Sequence, residues 1–163
     1  MVKYRTDPIY SDEFPDRNNV LWTDVVNLKN YQMIKLTVLE INSRFEQGVS
    51  IAPQSPKGYI EFRELRTKGF YLWFSSQGPK KRTGASGQPE KAPREFLMRY
   101  LSKEGEGKVS IWNAYKRPDG KFYHHMNKSG MILEKKDGKR IYHCNDVGEP
   151  ATFDKLVFSI EII

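Results

Sequence analysis

The chain has 163 residues, 27 Lys plus Arg against 20 Asp plus Glu, a formal net charge of +7, one cysteine, and an aromatic set of 9 Phe, 9 Tyr and 3 Trp. That length and a hydrophobic fraction of 38% describe one folded domain with enough bulky side chains for a core, and exclude wholesale disorder. Cys144 alone cannot form an internal disulfide, which excludes a stapled secreted scaffold and favours a reducing compartment, the cytosol. The longest apolar run is Phe70 to Phe74 and charges interrupt Met1 to Tyr10, so neither a membrane span nor an export signal is expected.

Residues 1–30 mix Asp12, Pro15, Asp16, Asn18 and Asn19 with few apolar positions and read as an irregular segment packed on the edge of the domain. The rest, 31–163, reads as a single β domain. Its first strand is Met33 to Ile41, where Ile34, Leu36 and Val38 alternate with Lys35 and Thr37; Gly48, Pro53 and Pro56 then indicate loops. Tyr59 to Leu65 and Phe70 to Ser75 are two further strands linked near Thr67 to Gly69, the second with Phe70, Leu72 and Phe74 on one face and Tyr71 and Trp73 on the other.

Segment 76–93 holds Gly78, Pro79, Lys80, Lys81, Arg82, Gly84, Gly87, Pro89, Lys91 and Pro93 with almost no apolar side chain. It reads as a long basic surface loop inserted between strands. Glu95 to Ser102 is ambiguous, since Phe96, Met98 and Tyr100 alternate as in a strand while Pro93, Glu95 and Gly105 sit where a short helix would begin and end; it is read as a strand, and Lys108 to Tyr115 is another. Arg117-Pro118-Asp119-Gly120 is a turn, since Pro presets φ and Gly accepts the left-handed position, and Lys121 to Met126 returns antiparallel. Asp137-Gly138 joins Met131–Lys136 to Lys139–Cys144 in a hairpin, and Leu156 to Ile163 closes the chain. About eight or more strands and no segment that reads as a helix imply an all-β protein, an antiparallel β-sandwich or barrel.

The charge is uneven. Met1–Leu65 carries 8 basic and 9 acidic residues (−1), Arg66–Arg140 carries 18 and 7 (+11), and Ile141–Ile163 carries 1 and 4 (−3). An excess of that kind over one stretch suits a surface that attracts a polyanion. If the turn pairs Lys116 with Lys121, then Tyr115 opposes Phe122, Asn113 opposes His124 and Trp112 opposes His125. Val109, Ile111, Tyr115, Phe122 and Met126 then face inward, while Trp112, Lys116, Lys121, Tyr123 and His125 face solvent. Tyr71, Trp73, Trp112 and Tyr123 are the expected stacking side chains, and Lys80, Lys81, Arg82, Lys116, Arg117 and Lys121 the expected phosphate contacts, with His125 beside them.

The expectation is a binding module for a polyanion, foremost nucleic acid, rather than an enzyme. One alternative is a lectin-like sandwich using the same rings for a glycan, with Asn113, Asn145 or Asp146 on its hydroxyls. A second is a metal-independent ribonuclease using His124 or His125 as general base, and a third is docking of an acidic protein surface. No cofactor is expected. His124 and His125, adjacent on a strand, would point to opposite faces and cannot share a metal, while His143, Cys144 and Asp146 lack a second Cys or His at zinc spacing. Gly-rich phosphate loops, nucleophile elbows and paired carboxylate motifs are missing from the sequence.

Overall fold

Runs in which apolar residues alternate form strands whose inward side chains fill the main core. The computed structural model describes residues 7–74, 95–126, 128–147 and 150–163. Among these it has thirteen strands and no helix: β1 (Ile9–Tyr10), β2 (Val20–Lys29), β3 (Met33–Ile41), β4 (Glu46–Pro53), β5 (Gly58–Phe62), β6 (Leu65–Thr67), β7 (Phe70–Phe74), β8 (Glu95–Ser102), β9 (Glu106–Lys116), β10 (Phe122–Tyr123), β11 (Gly130–Lys136), β12 (Lys139–Asn145) and β13 (Leu156–Ile162). No helix of the described residues is long and apolar enough to cross a membrane. The expected insertion 76–93, with Lys80, Lys81 and Arg82, lies outside the described residues.

All ladders are antiparallel and join in the order β6-β5-β8-β3-β13-β12-β11-β2-β9-β4-β7, with β1 on β2 and β10 on β9. The sheet curls until its ends meet as a nearly closed barrel: Phe62 of β5 stacks on Phe70 of β7 at 5.6 Å, and Phe96 of β8 lies 5.5 Å from Phe74 of β7. Inside, Leu28, Ile51, Tyr100, Tyr115, Tyr142 and Phe158 are fully buried, so the interior is a side-chain core.

Three expectations about the elements are corrected. Residues 20–29 are not irregular but form β2, a ten-residue strand. Its Asp24 and Asn27 interrupt the apolar pattern, and its first half is buried at Val20, Leu21, Thr23 and Asp24 alike, so no alternation marks it. Glu46 to Pro53 is strand β4 rather than loop, Gly48 lying within it for a packing reason given below. Finally, the expected strand Tyr59 to Leu65 folds back on itself. Arg63 and Glu64, at φ 51° and 68°, form a two-residue turn that pairs Phe62 with Leu65.

Strand β2 changes partners along its length. Val20 and Leu21 pair with Ile132 and Met131 of β11, after which Asp24 to Lys29 pair with Ile111 to Glu106 of β9. Asp24, fully buried, stands where the two ladders diverge. Its Oδ2 accepts hydrogen bonds from the Tyr142 hydroxyl at 2.6 Å and from Arg140 Nη2 at 3.0 Å and Nε at 3.1 Å, and Oδ1 accepts from the Val25 amide at 2.9 Å. A buried carboxylate is tolerable only when paired and hydrogen-bonded in this way.

Two predictions follow from this core. Asp24→Ala should lower stability by about 3–5 kcal/mol, because it strands the partners of a buried pair, and Tyr142→Phe by about 1–3 kcal/mol, because it removes one donor from a buried acceptor. Denaturant unfolding of both variants checks this, and an unchanged midpoint in Asp24→Ala would show that the pair does not tie β2 to β12. Burial raises the pKa of the Cys144 thiol well above its ordinary 9.0, and burial followed by the Asp24 carboxylate raises that of the Tyr142 hydroxyl well above 10.0. Groups whose folded pKa is raised stabilise the protein below their unfolded values and lose that contribution above them. Stability should therefore fall as pH rises past about 9, and Cys144→Ala should flatten the first part of that fall in unfolding curves taken across the alkaline range.

Candidate nucleic-acid interface

The outer face of β10-β9-β4-β7 is set by register. Across β9, β4 and β7 the rows read Ala114–Gly48–Trp73 and Trp112–Ser50–Tyr71, alternating with the inward rows Tyr115–Gln47–Phe74 and Asn113–Val49–Leu72. Tyr71 and Trp73 thus lie outside and Phe74 inside, as the alternation of Phe70 to Phe74 predicts. The row containing Trp73 is floored by the two smallest side chains available. A Cβ built on Gly48 would come within 2.6 Å of Trp73 Cζ3, so the indole lies directly over the Gly48 backbone. That contact is why a glycine sits mid-strand in β4.

The β9–β10 turn then decides which ring joins the face. The Arg117 amide donates to the Lys121 carbonyl at 2.9 Å, closing a loop one residue longer than expected, and the register becomes Phe122 opposite Lys116 and Tyr123 opposite Tyr115. This one-residue slip exchanges the two faces of β10. Tyr123 is corrected off the solvent face: it stacks on buried Tyr115 at 5.5 Å. Phe122, expected inside, is 47% exposed and takes its place, and Met126, also expected inside, is 42% exposed. Asn113 does not pair with His124; its Nδ2 donates to the Asn145 carbonyl at 3.0 Å inside the barrel.

The result is a continuous strip of rings. Trp73 stacks on Tyr71 at 5.4 Å, and Phe122 lies 5.0 Å from Tyr71 and 5.5 Å from Trp73. Trp112 meets Tyr71 edge-on at 6.1 Å and donates its Nε1–H to the Tyr71 hydroxyl at 3.0 Å. Burial of that hydroxyl raises the Tyr71 pKa, outweighing its hydrogen bonds to Trp112 and Ser50, and keeps the phenol neutral. Beyond Trp112 come His124 and His125, each 5.9 Å from it, and Trp22 stacks on His125 at 5.9 Å. All of these except Phe122 are half-buried, their edges covered by one another.

Cations border the strip at the Trp73 end. Lys116 Nζ sits 4.2 Å over the Trp73 ring and 3.3 Å from Glu46 Oε2. Arg117 lies over Tyr123 at 5.3 Å and is exposed, as is Lys121, whose amide donates to Asp119 Oδ1. Of the expected site residues, the structure brings Tyr71, Trp73, Trp112, Lys116 and His125 together, leaves Arg117 and Lys121 in the adjoining turn, and turns Tyr123 inward. It adds Phe122, His124 and Trp22. Phe122 was legible only through the turn length, and Trp22 was hidden by the irregular reading of 1–30.

His124 and His125 also break their expected alternation. β10 ends at Tyr123, and beyond it His125 has φ 57°, a left-handed conformation that places its ring beside that of His124, centroids 4.5 Å apart and perpendicular. The glycan alternative loses its polar partners: Asn113, Asn145 and Asp146 are 2%, 0% and 3% exposed and face inward. Among the described residues no group of three or more His, Cys, Asp or Glu side chains is placed to hold a metal ion. Comparison of the chain with known protein families, with curated proteins and with solved structures gives no match.

Because Gly48 is the floor of the strip, Gly48→Ala should displace Trp73, costing about 1–3 kcal/mol of overpacking and shifting tryptophan emission as Lys116 loses the ring. An unchanged spectrum and midpoint would show that the indole does not lie on Gly48.

Proposed function

We propose that this protein binds single-stranded nucleic acid on the outer face of β10-β9-β4-β7. The observation that carries the reading is the strip itself: Trp73, Phe122, Tyr71 and Trp112 adjoin one another on a solvent-facing sheet, with Lys116 over the Trp73 ring and exposed Arg117 and Lys121 in the adjoining turn. Bases present flat π faces to such rings, each stacked base contributing about 1–3 kcal/mol, and the sequence-tolerant character of stacking fits a strip that offers few polar groups. Phosphates are neutralised by the cations, with Lys116 exchanging Glu46 for a phosphate oxygen. Lys80, Lys81 and Arg82, in the segment that follows β7 in sequence, add to the same charge and supply three of the 18 basic residues over 66–140. A filled barrel interior leaves the outer surface as the place for a ligand.

Titration of tryptophan emission with an oligothymidylate tests this. Phe122→Ala should weaken binding about 5- to 100-fold, as expected for loss of one stacked base. Replacing Lys80, Lys81 and Arg82 with Ala should flatten the plot of log affinity against log salt by about two units. Affinity that does not change with salt, or that Phe122→Ala leaves intact, overturns the reading; salt-independent binding of a neutral oligosaccharide would put a glycan in its place, and salt-dependent binding of an acidic protein alone would put a protein partner there.

A further inference from the structure

We propose that His124 and His125 are a catalytic pair that cleaves single-stranded RNA lying on the strip, an inference that rests on the nucleic-acid reading above. Three observations point to it. The rings are 4.5 Å apart and perpendicular, although neighbouring strand residues would diverge, and it is the left-handed backbone of His125 that brings them together. Both rings contact Trp112 at 5.9 Å, so a strand stacked along the strip passes them. The His125 ring is held from outside its own segment, Nε2 lying 2.9 Å from Thr23 Oγ1 on β2, the arrangement of an imidazole oriented for proton transfer by a third group.

Two imidazoles in contact repel if both are charged, so the pair carries at most one proton charge. Burial lowers the pKa of His124, which makes it the neutral member and the base. His124 removes the proton of a ribose 2′-hydroxyl, whose oxygen attacks the adjacent phosphorus. As that P–O bond forms, the bond from phosphorus to the 5′-oxygen of the next nucleotide breaks, and His125 donates its proton to that leaving oxygen. The products are a 2′,3′-cyclic phosphate and a 5′-hydroxyl end; no water, metal or redox partner is consumed. The entering and leaving oxygens lie on opposite sides of one phosphorus atom in line, and the two rings, in contact with each other, would reach them from one flank. DNA lacks the 2′-hydroxyl and would be bound but not cut.

The experiment uses the full chain in chelator, with an oligouridylate labelled at its 5′ end for cleavage and an oligothymidylate for binding. The expected result is cleavage of the first to a cyclic phosphate and binding of the second intact. His124→Phe keeps a ring against Trp112 without its nitrogens, and His125→Asn keeps a residue tolerant of positive φ. Each should reduce cleavage at saturating oligouridylate by about 10²–10⁴-fold, in protein that still unfolds cooperatively on heating and still binds oligothymidylate. Oligothymidylate bound with oligouridylate uncut overturns the catalytic pair and leaves the binding reading standing; cleavage that survives both substitutions in folded protein overturns it equally. Loss of all binding overturns the binding reading and the pair with it.

Discussion

Strand β2 serves two ladders, and the rest of the barrel depends on how the split between them is closed. Its first residues pair with β11 and its last six with β9, so the wall opens between them. The Asp24 carboxylate fills that position and is gripped by Arg140 and Tyr142 from β12, two strands away in the sheet. Four hydrogen bonds to one buried acid offset its desolvation and tie together the two parts of the sheet, β12–β13–β3–β8 on one side and β9–β4–β7 on the other. With β9 fixed to β2 in this way, the rows that pass through Trp112, Ser50 and Tyr71 are fixed as well.

From β9 outward, the surface follows from strict alternation and from one small residue. Inward rows carry Tyr115, Asn113 and Ile111 into the core, and the rows between them can only face out. A bulky side chain at position 48 would prop the Trp73 indole away from the sheet; glycine lets it lie flat, within reach of Tyr71, Phe122 and Lys116. The strip is thus a consequence of backbone geometry as much as of aromatic content. Its rings cover one another's edges and present faces, the presentation a stacking ligand needs.

Much of the architecture was legible in the sequence because alternation is a local signal. Met33 to Ile41 and Glu95 to Ser102 read as strands over the residues they occupy, and Asp137-Gly138 read as the turn that joins β11 to β12. Strand β2 was illegible for a long-range reason: Asp24 looks like a loop residue until Arg140 and Tyr142, more than a hundred positions away, supply its partners. Strand β4 was hidden likewise, its Gly48 having no local meaning without Trp73.

The sequence by itself determined the all-β class and the faces of Phe70 to Phe74, since period-two alternation is read residue by residue, whereas β4, read as loop, had to fold between β7 and β9 before Tyr71 and Trp73 shared a surface with Trp112 and Lys116. Tertiary structure alone decided that Phe122 and not Tyr123 completes that surface, that His124 and His125 meet instead of diverging, and that Trp22 joins them. The physical reason is the same in each case. A one-residue difference in turn closure or a single left-handed φ inverts which face a side chain takes, and its energy is set by packing against distant strands, which no short window of sequence contains.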